Sequence, residues 1–303
     1  MPTPFFVLEV ALSGLLAGLL YSLVALGFVL IYKASGVFNF AQGALVLLAA
    51  LVFVRATEIF DAMGPATVGF WAALLATMAV MVLVAAAIER FLLRPLVNQP
   101  PITLFMATIG LTFLIEGISQ MIWGSRVYTL DLGIPDEPWI IHGLYIGKID
   151  LFAAAVAIAM VIALAVFFQF TRIGRALRAV SDDHQAALSI GIPLNFIWVV
   201  VWSLAGMAAL FAGLVWGAKL GVQFSISVVA LKALPVLILG GFTSIPGVIV
   251  GGILIGVSEK LAEVFVGPVV GGAIESWFAY VLALAVLLVR PQGLFGEKII
   301  ERV

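Results

Sequence analysis

The chain contains no cysteine, only two histidines, and charged residues at just 10% of its 303 positions. Without cysteine there is no disulfide framework and no thiolate metal site. So little charge, against about a quarter in soluble domains, leaves too few polar groups to clothe a globule in water. The two histidines, His142 and His184, lie far apart in the chain, and neither an HExxH motif nor paired aspartates occur within the apolar stretches. An intramembrane hydrolase is thereby disfavoured. The one Gly-Lys pair, Gly147-Lys148, is followed by Ile149, so no Walker A loop is present. No catalytic residue, metal site or cofactor is expected.

What the chain has instead is apolar sequence: 64% hydrophobic residues and a mean hydropathy of +1.26. A helix of about 20 residues crosses the ~30 Å of a bilayer core. Nine stretches approach that length: Val10–Ile31, Phe38–Val54, Ala66–Ile88, Thr103–Trp123, Leu151–Phe170, Phe196–Trp216, Ser225–Gly241, Pro246–Leu261 and Ile274–Val289. Three are short, and a stretch of that length can be re-entrant, so eight and nine spans both remain open. Runs rich in Gly and Ala, with little period-two alternation, point to helices and not a barrel. The expected fold is an all-α polytopic transmembrane bundle forming a single domain over residues 1–303. No Lys or Arg precedes the first stretch, whose apolar core is too long for a signal peptide, so it is expected to be a span.

Positive residues set the orientation. With nine spans, Lys33, Arg90/Arg94, Arg172/Arg175/Arg178 and Arg290/Lys298/Arg302 share one side, the cytoplasm. The N-terminus and the loop 124–150 then lie outside, where Asp131, Asp136, Glu137 and Asp150 outnumber Arg126 and Lys148. Arg55 and Lys219 run against this pattern. The outer loop, with Pro135, Pro138, Trp139 and His142, reads either as a folded cap or as a landing surface for an external partner.

Between two apolar stretches lies a polar segment, 171–195. It carries Arg172, Arg175, Arg178, Asp182 and Asp183, and then Gln185-Ala186-Ala187-Leu188-Ser189-Ile190-Gly191. Asp182 and Gln185 have capping-box spacing, and Gly191 suits a C-terminal cap. Between them a short helix would set Asp183, Ala187 and Gly191 on one face beside Ala186, small enough for another protein's backbone to approach. The alternative is an amphipathic connector whose arginines bind anionic lipid.

Two further places suggest a solute path. Phe38-Asn39-Phe40-Ala41-Gln42-Gly43 is polar between apolar spans, and Asn39 with Gln42 fits an N-cap and N3 pair. Such a helix start could receive a carboxylate, or simply cap a helix beside Lys33. Lys232 stands near the middle of an apolar stretch, where a charge costs ~2.5–3.5 kcal/mol and requires a partner. Glu116 is the expected one, on a polar stripe with Thr108, Thr112, Ser119 and Gln120. That stripe is either an interhelical seam or part of the path. Gly14/Gly18, Gly213/Gly217, Gly247/Gly251 and Gly252/Gly256 permit close helix crossings.

Several segments resemble a known family. Gln185-Ala186-Ala187-x-x-x-Gly191 is similar to the cytoplasmic loop by which ABC importer permeases dock onto their ATPases, with Gln where the motif has Glu. Tyr21-Ser22-Leu23-Val24-Ala25-Leu26-Gly27, then Tyr32 through Gly43, resembles the opening of permeases from branched-chain amino-acid importers. Leu231-Lys232-Ala233, Leu239 through Gly247, and Val289-Arg290-Pro291-Gln292-Gly293-Leu294-Phe295-Gly296 resemble the same family, nearest its shorter paired permease. The resemblance implies two cytoplasmic ATP-binding subunits, a second related permease (sister or identical), an extracytoplasmic solute-binding protein, and a bacterial inner-membrane location. It also implies alternating access for branched-chain amino acids or a related small polar solute, with Arg175, Arg178, Asp182, Asp183, Gln185, Ala186, Ala187 and Gly191 receiving work from the ATPases. Phe38, Asn39, Phe40, Gln42, Thr112, Glu116 and Lys232 are the residues expected along the path. A secondary carrier or channel for solutes such as urea or amides is the rival, and only Glu116 and Lys232 could supply its coupling site.

Overall fold

The computed structural model describes residues 4–63, 65–96, 99–135, 137–141, 143–182 and 184–296. Long helices dominate: α1 (Pro4–Ser35), α2 (Gln42–Asp61) and α3 (Ala66–Ile88), which passes through a π turn (Glu89–Leu93) into α4 (Arg94–Leu96). After α5 (Pro101–Trp123) come two short strands, β1 (Trp139–Ile141) and β2 (Leu144–Ile146), paired antiparallel with Trp139 opposite Ile146. Helices α6 (Lys148–Phe170), α7 (Arg172–Asp182), α8 (His184–Ser189) and α9 (Leu194–Leu220) follow. The chain continues through α10 (Ser225–Gly240), α11 (Ile245–Phe265), α12 (Gly267–Val270), a 3-10 turn (Ile274–Ser276) and α13 (Phe278–Val289).

Among the described residues, six helices are long and apolar enough to cross a membrane, or up to seven elements if the bent pair α10 and α11 is taken as one span. This is a multi-pass membrane protein. Each of the nine apolar stretches contains a helix, yet the expectation of eight to nine spans counted α10 and α11 separately. Those two helices meet at 114° across a short break, and α13 is shorter than a full crossing. Apolar length alone does not distinguish a crossing helix from one limb of a bend, which explains the difference.

The chain divides into two compact units. The first comprises Met1–Val29, Gly133–Val161 and Ala230–Val303. Here α1 and α11 touch backbone to backbone: a Cβ on Gly18 would strike the Gly252 carbonyl, and one on Gly14 would lie 2.6 Å from the Gly256 oxygen. Ser22 stitches the crossing, its hydroxyl 2.9 Å from the Gly18 oxygen and 3.1 Å from that of Val248. The bend between α10 and α11 is equally tight, since a Cβ on Gly251 would fall 2.7 Å from the Val236 oxygen. Ser244 caps α11, accepting from the Gly247 N–H at 3.0 Å.

Two breaks in the α10 hydrogen-bond ladder are repaired within this unit. Pro235 has no N–H, so the Leu231 carbonyl lacks its helical donor. The Tyr280 hydroxyl supplies one at 2.8 Å. At the end of α10, the carbonyls of Leu239 and Gly240 accept from Leu294 and Phe295 at 2.8 and 3.3 Å. The tail around Gly293 thus lies against the bend, and Gly241 turns there with φ +102°, where only glycine is unstrained.

The second unit comprises Leu30–Leu132 and Ile162–Val229. Helices α2, α3 and α9 pack together around fully buried Leu45, Leu47, Leu51, Phe53 and Met81. Gly213 of α9 lies against α2, where a Cβ would meet the Val46 oxygen at 2.7 Å, and Gly206 lies against Met81 of α3. Tyr128 and Val222 exchange backbone hydrogen bonds of 3.0 and 2.7 Å, closing this unit beyond α5 and α9.

Gly252→Leu would drive a side chain into the Gly18 backbone, so we expect it to abolish folded yield in detergent size-exclusion profiles. Gly110→Leu, at a position with open space, should leave those profiles unchanged. Tyr280→Phe should lower thermal stability by about 1 kcal/mol, read as a fall in unfolding temperature.

Candidate functional site

Three places hold the residues singled out by the sequence. The first is the polar segment after α6. Thr171 ends α6 and caps α7: its hydroxyl donates to the Phe167 oxygen at 2.7 Å and accepts from the Gly174 N–H at 2.9 Å. Gly174 is required at this corner, because a Cβ would lie 2.6 Å from the Phe168 Cα. Helix α7 is amphipathic at threefold spacing, with Gly174, Leu177 and Val180 buried and Arg172, Arg175 and Arg178 exposed. The Arg175 guanidinium reaches back 3.4 Å to the Phe170 carbonyl.

Helix α8 ends as expected, with Gly191 at φ +84°. Its N–H donates to the Leu188 oxygen at 3.0 Å, and that of Ile192 to the Ala187 oxygen at 3.1 Å. Its start differs from the capping-box expectation, because α7 continues through Asp182 before α8 begins at His184. Asp183 lies outside the described residues, as do the side chains of Asp182, Gln185 and Ala186. On the expected docking face Ala187 is 1% exposed and Gly191 is exposed, and beside them Ile190 is 73% exposed. Packed against α7, α8 turns Ala187 inward and leaves Leu188 outside, with Ile190 exposed just beyond its end. Arg94 secures the far end of the segment. It lies 3.6 Å from the buried Glu89 carboxylate, and the Asn195 carboxamide, assigned with its oxygen toward the guanidinium, accepts from Nη2 at 2.6 Å. Glu89, Arg94 and Asn195 were not legible as a group, since the π turn that turns Glu89 inward leaves no sequence signature.

The second place is the link between α1 and α2. Asn39 and Gln42 are both 0% exposed. They do not form the expected cap pair: α2 begins at Gln42, Ala41 occupies the cap position without a side-chain bond, and the Asn39 Oδ1 accepts from the Ala41 N–H at 3.1 Å. Gln42 instead donates across to the Ala205 carbonyl of α9 at 3.3 Å. The link is held by Thr108 of α5, whose hydroxyl accepts from the Phe40 N–H at 3.2 Å and donates to the Phe105 carbonyl at 2.8 Å. Phe40 stacks edge-on with Phe38 and Phe105, at centroid distances of 5.2 and 5.4 Å. Asn39 Nδ2 and Gln42 Oε1, a donor and an acceptor, have no hydrogen-bond partner among the described residues. Beside the link, Ile31, Ser35, Val37, Leu93, Leu104, Thr108, Trp198 and Trp202 line a cavity of about 110 Å³. Further along α5, Thr112 bonds back to the Thr108 carbonyl at 3.0 Å. Glu116 is partly buried and makes no ion pair among the described residues.

The third place is Lys232, whose expected partner Glu116 is replaced by two others. Its Nζ lies 3.5 Å from Glu259 of α11 and 3.7 Å from Glu275 of the 3-10 turn. Glu275 is also held by Lys260 at 3.0 Å, and the Tyr21 ring lies 5.8 Å from the Lys232 ammonium. Glu259 and Lys260 stood within the stretch Pro246–Leu261 and themselves demanded partners, which was the available signal. Which charge meets which depends on the bend between α10 and α11, and spacing does not reveal that bend.

The permease component of branched-chain amino acid transport systems matches residues 10–290. This chain belongs to that family. The permease is 28% identical to the high-affinity branched-chain amino acid transport system permease protein BraD of Pseudomonas aeruginosa, with all of both chains covered. It is 27% identical to LivH of Salmonella typhimurium over 98% of each. A fructose import permease protein, FruG of Bifidobacterium longum, is 24% identical over 69% of this chain and 64% of its own. Among solved structures, PsaBC from Streptococcus pneumoniae in complex with Fab aligns over 97% of the permease and 94% of that chain, at 15% identity and a TM-score of 0.47.

In the permease, Thr108→Val leaves the partly buried Phe40 N–H unsatisfied. It should cost about 1–3 kcal/mol in thermal unfolding, with Thr108→Ser close to wild type.

Proposed function

We propose that this permease subunit forms the membrane path of an ATP-driven importer of branched-chain amino acids, working by alternating access in the bacterial inner membrane. It would act with two cytoplasmic ATP-binding subunits, a second related permease and an extracytoplasmic solute-binding protein. The observation that carries the reading is the segment Arg172–Gly191. It is capped at both ends by Thr171 and Gly191, presents three exposed arginines, and offers an apolar knob at Leu188 and Ile190. An isolated amphipathic connector has no need of such a protruding knob, whereas a groove on an ATPase would receive it.

The orientation follows the positive residues, with the N-terminus outside and the tail in the cytoplasm. Parity constrains the span count. If α13 crosses, a cytoplasmic tail requires α10 and α11 either to cross separately, giving nine spans, or to enter and leave on one side, giving seven and a re-entrant pair. The 114° bend supports the second arrangement.

The solute path would run by the link 36–41, where Asn39 and Gln42 place a spare donor and a spare acceptor beside aromatic rings. Opposite hydrogen-bonding needs suit a zwitterion. Affinity for the solute would reside mainly in the external receptor, in keeping with the scarcity of charge. The chain, lacking a Walker A loop, would act as a transport subunit and not as an enzyme. The exposed hairpin residues Trp139, Ile140 and Tyr145 would offer the receptor a landing surface.

The test is L-leucine uptake by proteoliposomes containing the complete assembly. Ile190→Asp and Gly191→Arg should each lower ATP-driven uptake more than about tenfold, while membrane insertion and pairing with the sister permease persist. Normal coupling in both variants would refute the docking role. Leucine uptake by this chain alone, without any ATPase, would establish the carrier reading instead.

A further inference from the structure

Lys232 is unusual among the charges of this chain. Its side chain is 40% exposed, yet it stands in an apolar helix read as lying within the membrane. Facing lipid, such an ammonium would be costly, so protein, water or a polar solute must face it. Its two ion pairs are both long, at 3.5 and 3.7 Å, well beyond the roughly 2.7–2.9 Å of a strong charge-assisted hydrogen bond. Its partners differ in availability. Glu259 is 2% exposed, and its Oε1 accepts no hydrogen bond among the described residues. Glu275 is partly exposed and already has a closer cation, Lys260, at 3.0 Å. Glu263, the remaining carboxylate nearby, is occupied by the Ala273 and Glu275 N–H groups at 3.2 and 2.8 Å.

These distances describe a cation that a carboxylate can take over. When Glu275 withdraws toward Lys260, it keeps an ion pair, and Lys232 loses only its weaker contact. A bare lysine in a transport path would trap a zwitterion. A lysine already neutralised by carboxylates offers an exchange, one carboxylate for another, whose free-energy change is small in either direction.

We propose that Lys232 binds the α-carboxylate of the transported amino acid by displacing Glu275, and that the buried Glu259 keeps the ammonium in place during the exchange. The proposal rests on the importer reading and adds to it the residue that recognises the solute's carboxylate. Lys232 would touch the solute, and Glu275 would act as the competitor that sets its affinity.

The competitor role yields effects of opposite sign, which a merely structural ion pair would not. Equilibrium binding of radiolabelled L-leucine is measured on the detergent-purified assembly of permeases and ATP-binding subunits, without the receptor. Lys232→Gln should weaken binding by about tenfold and Lys232→Arg should largely restore it. Glu275→Gln, which keeps an acceptor for Lys260, should tighten binding by about threefold, and the double variant should follow Lys232→Gln. If Lys232→Gln fails to assemble, the tightening by Glu275→Gln still decides the matter. Binding that weakens in both single variants, that changes in neither, or that is undetectable in the wild-type assembly overturns the proposal. Leucine uptake by the wild-type proteoliposomes is the separate control: its absence refutes the importer reading itself, whereas uptake with unaltered binding refutes only the site.

Discussion

A backbone carbonyl or N–H that loses its helical partner in apolar surroundings must find another, and most of the informative features of this protein are places where that happens. A continuous helix satisfies its own polar groups, so long apolar helices need nothing further. Each interruption needs a named donor or acceptor. Pro235 frees the Leu231 carbonyl and Tyr280 answers it; the end of α10 frees two more and the tail answers them; the link before α2 is held by Thr108. At about 1–3 kcal/mol for each buried group left unpaired, a few such losses would rival the whole margin of stability. The interruptions persist because the chain supplies partners from remote positions.

The same demand explains why glycine is concentrated at the crossings. Polar repair across helices needs backbones in near contact, which a Cβ would prevent. Ser22 reaches the Val248 carbonyl only because Gly18 and Gly252 let α1 and α11 meet. Around the bend, Gly240, Gly247 and Gly251 allow α10 and α11 to lie against one another, and this proximity carries Glu259 to Lys232. Close packing of small residues and burial of charge are therefore linked: the first creates the setting in which the second is tolerable.

Much of this was legible from residues alone. Apolar length revealed the long helices, and Gly191 announced the cap that ends α8 because a positive φ is cheap only for glycine. The motif residues Leu239 through Gly247 and Pro291 through Gly296 were visible as separate segments, but nothing in their spacing showed that one covers the carbonyls of the other. Asn39 and Gln42 had the spacing of a cap pair, yet both turned into the interior, since the glutamine found the Ala205 carbonyl on a distant helix. Ala187 looked like an open docking face and proved to be packed inside. For the tail and for Gln42 the deciding partner was remote in sequence, and for Ala187 it was the adjoining helix α7.

Composition and residue order by themselves determined the solvent this protein lives in, its helical architecture and its lack of a Walker A motif. Those properties depend on summed hydrophobicity and on local residue order. The partners of its charges, the bend that joins α10 to α11 and the side chains left outside on α8 were decided only by tertiary structure. An apolar helix has no intrinsic preference for which face turns inward. Its rotation and direction are set by the neighbours it meets, and rotation by a fraction of a turn exchanges one charge partner for another.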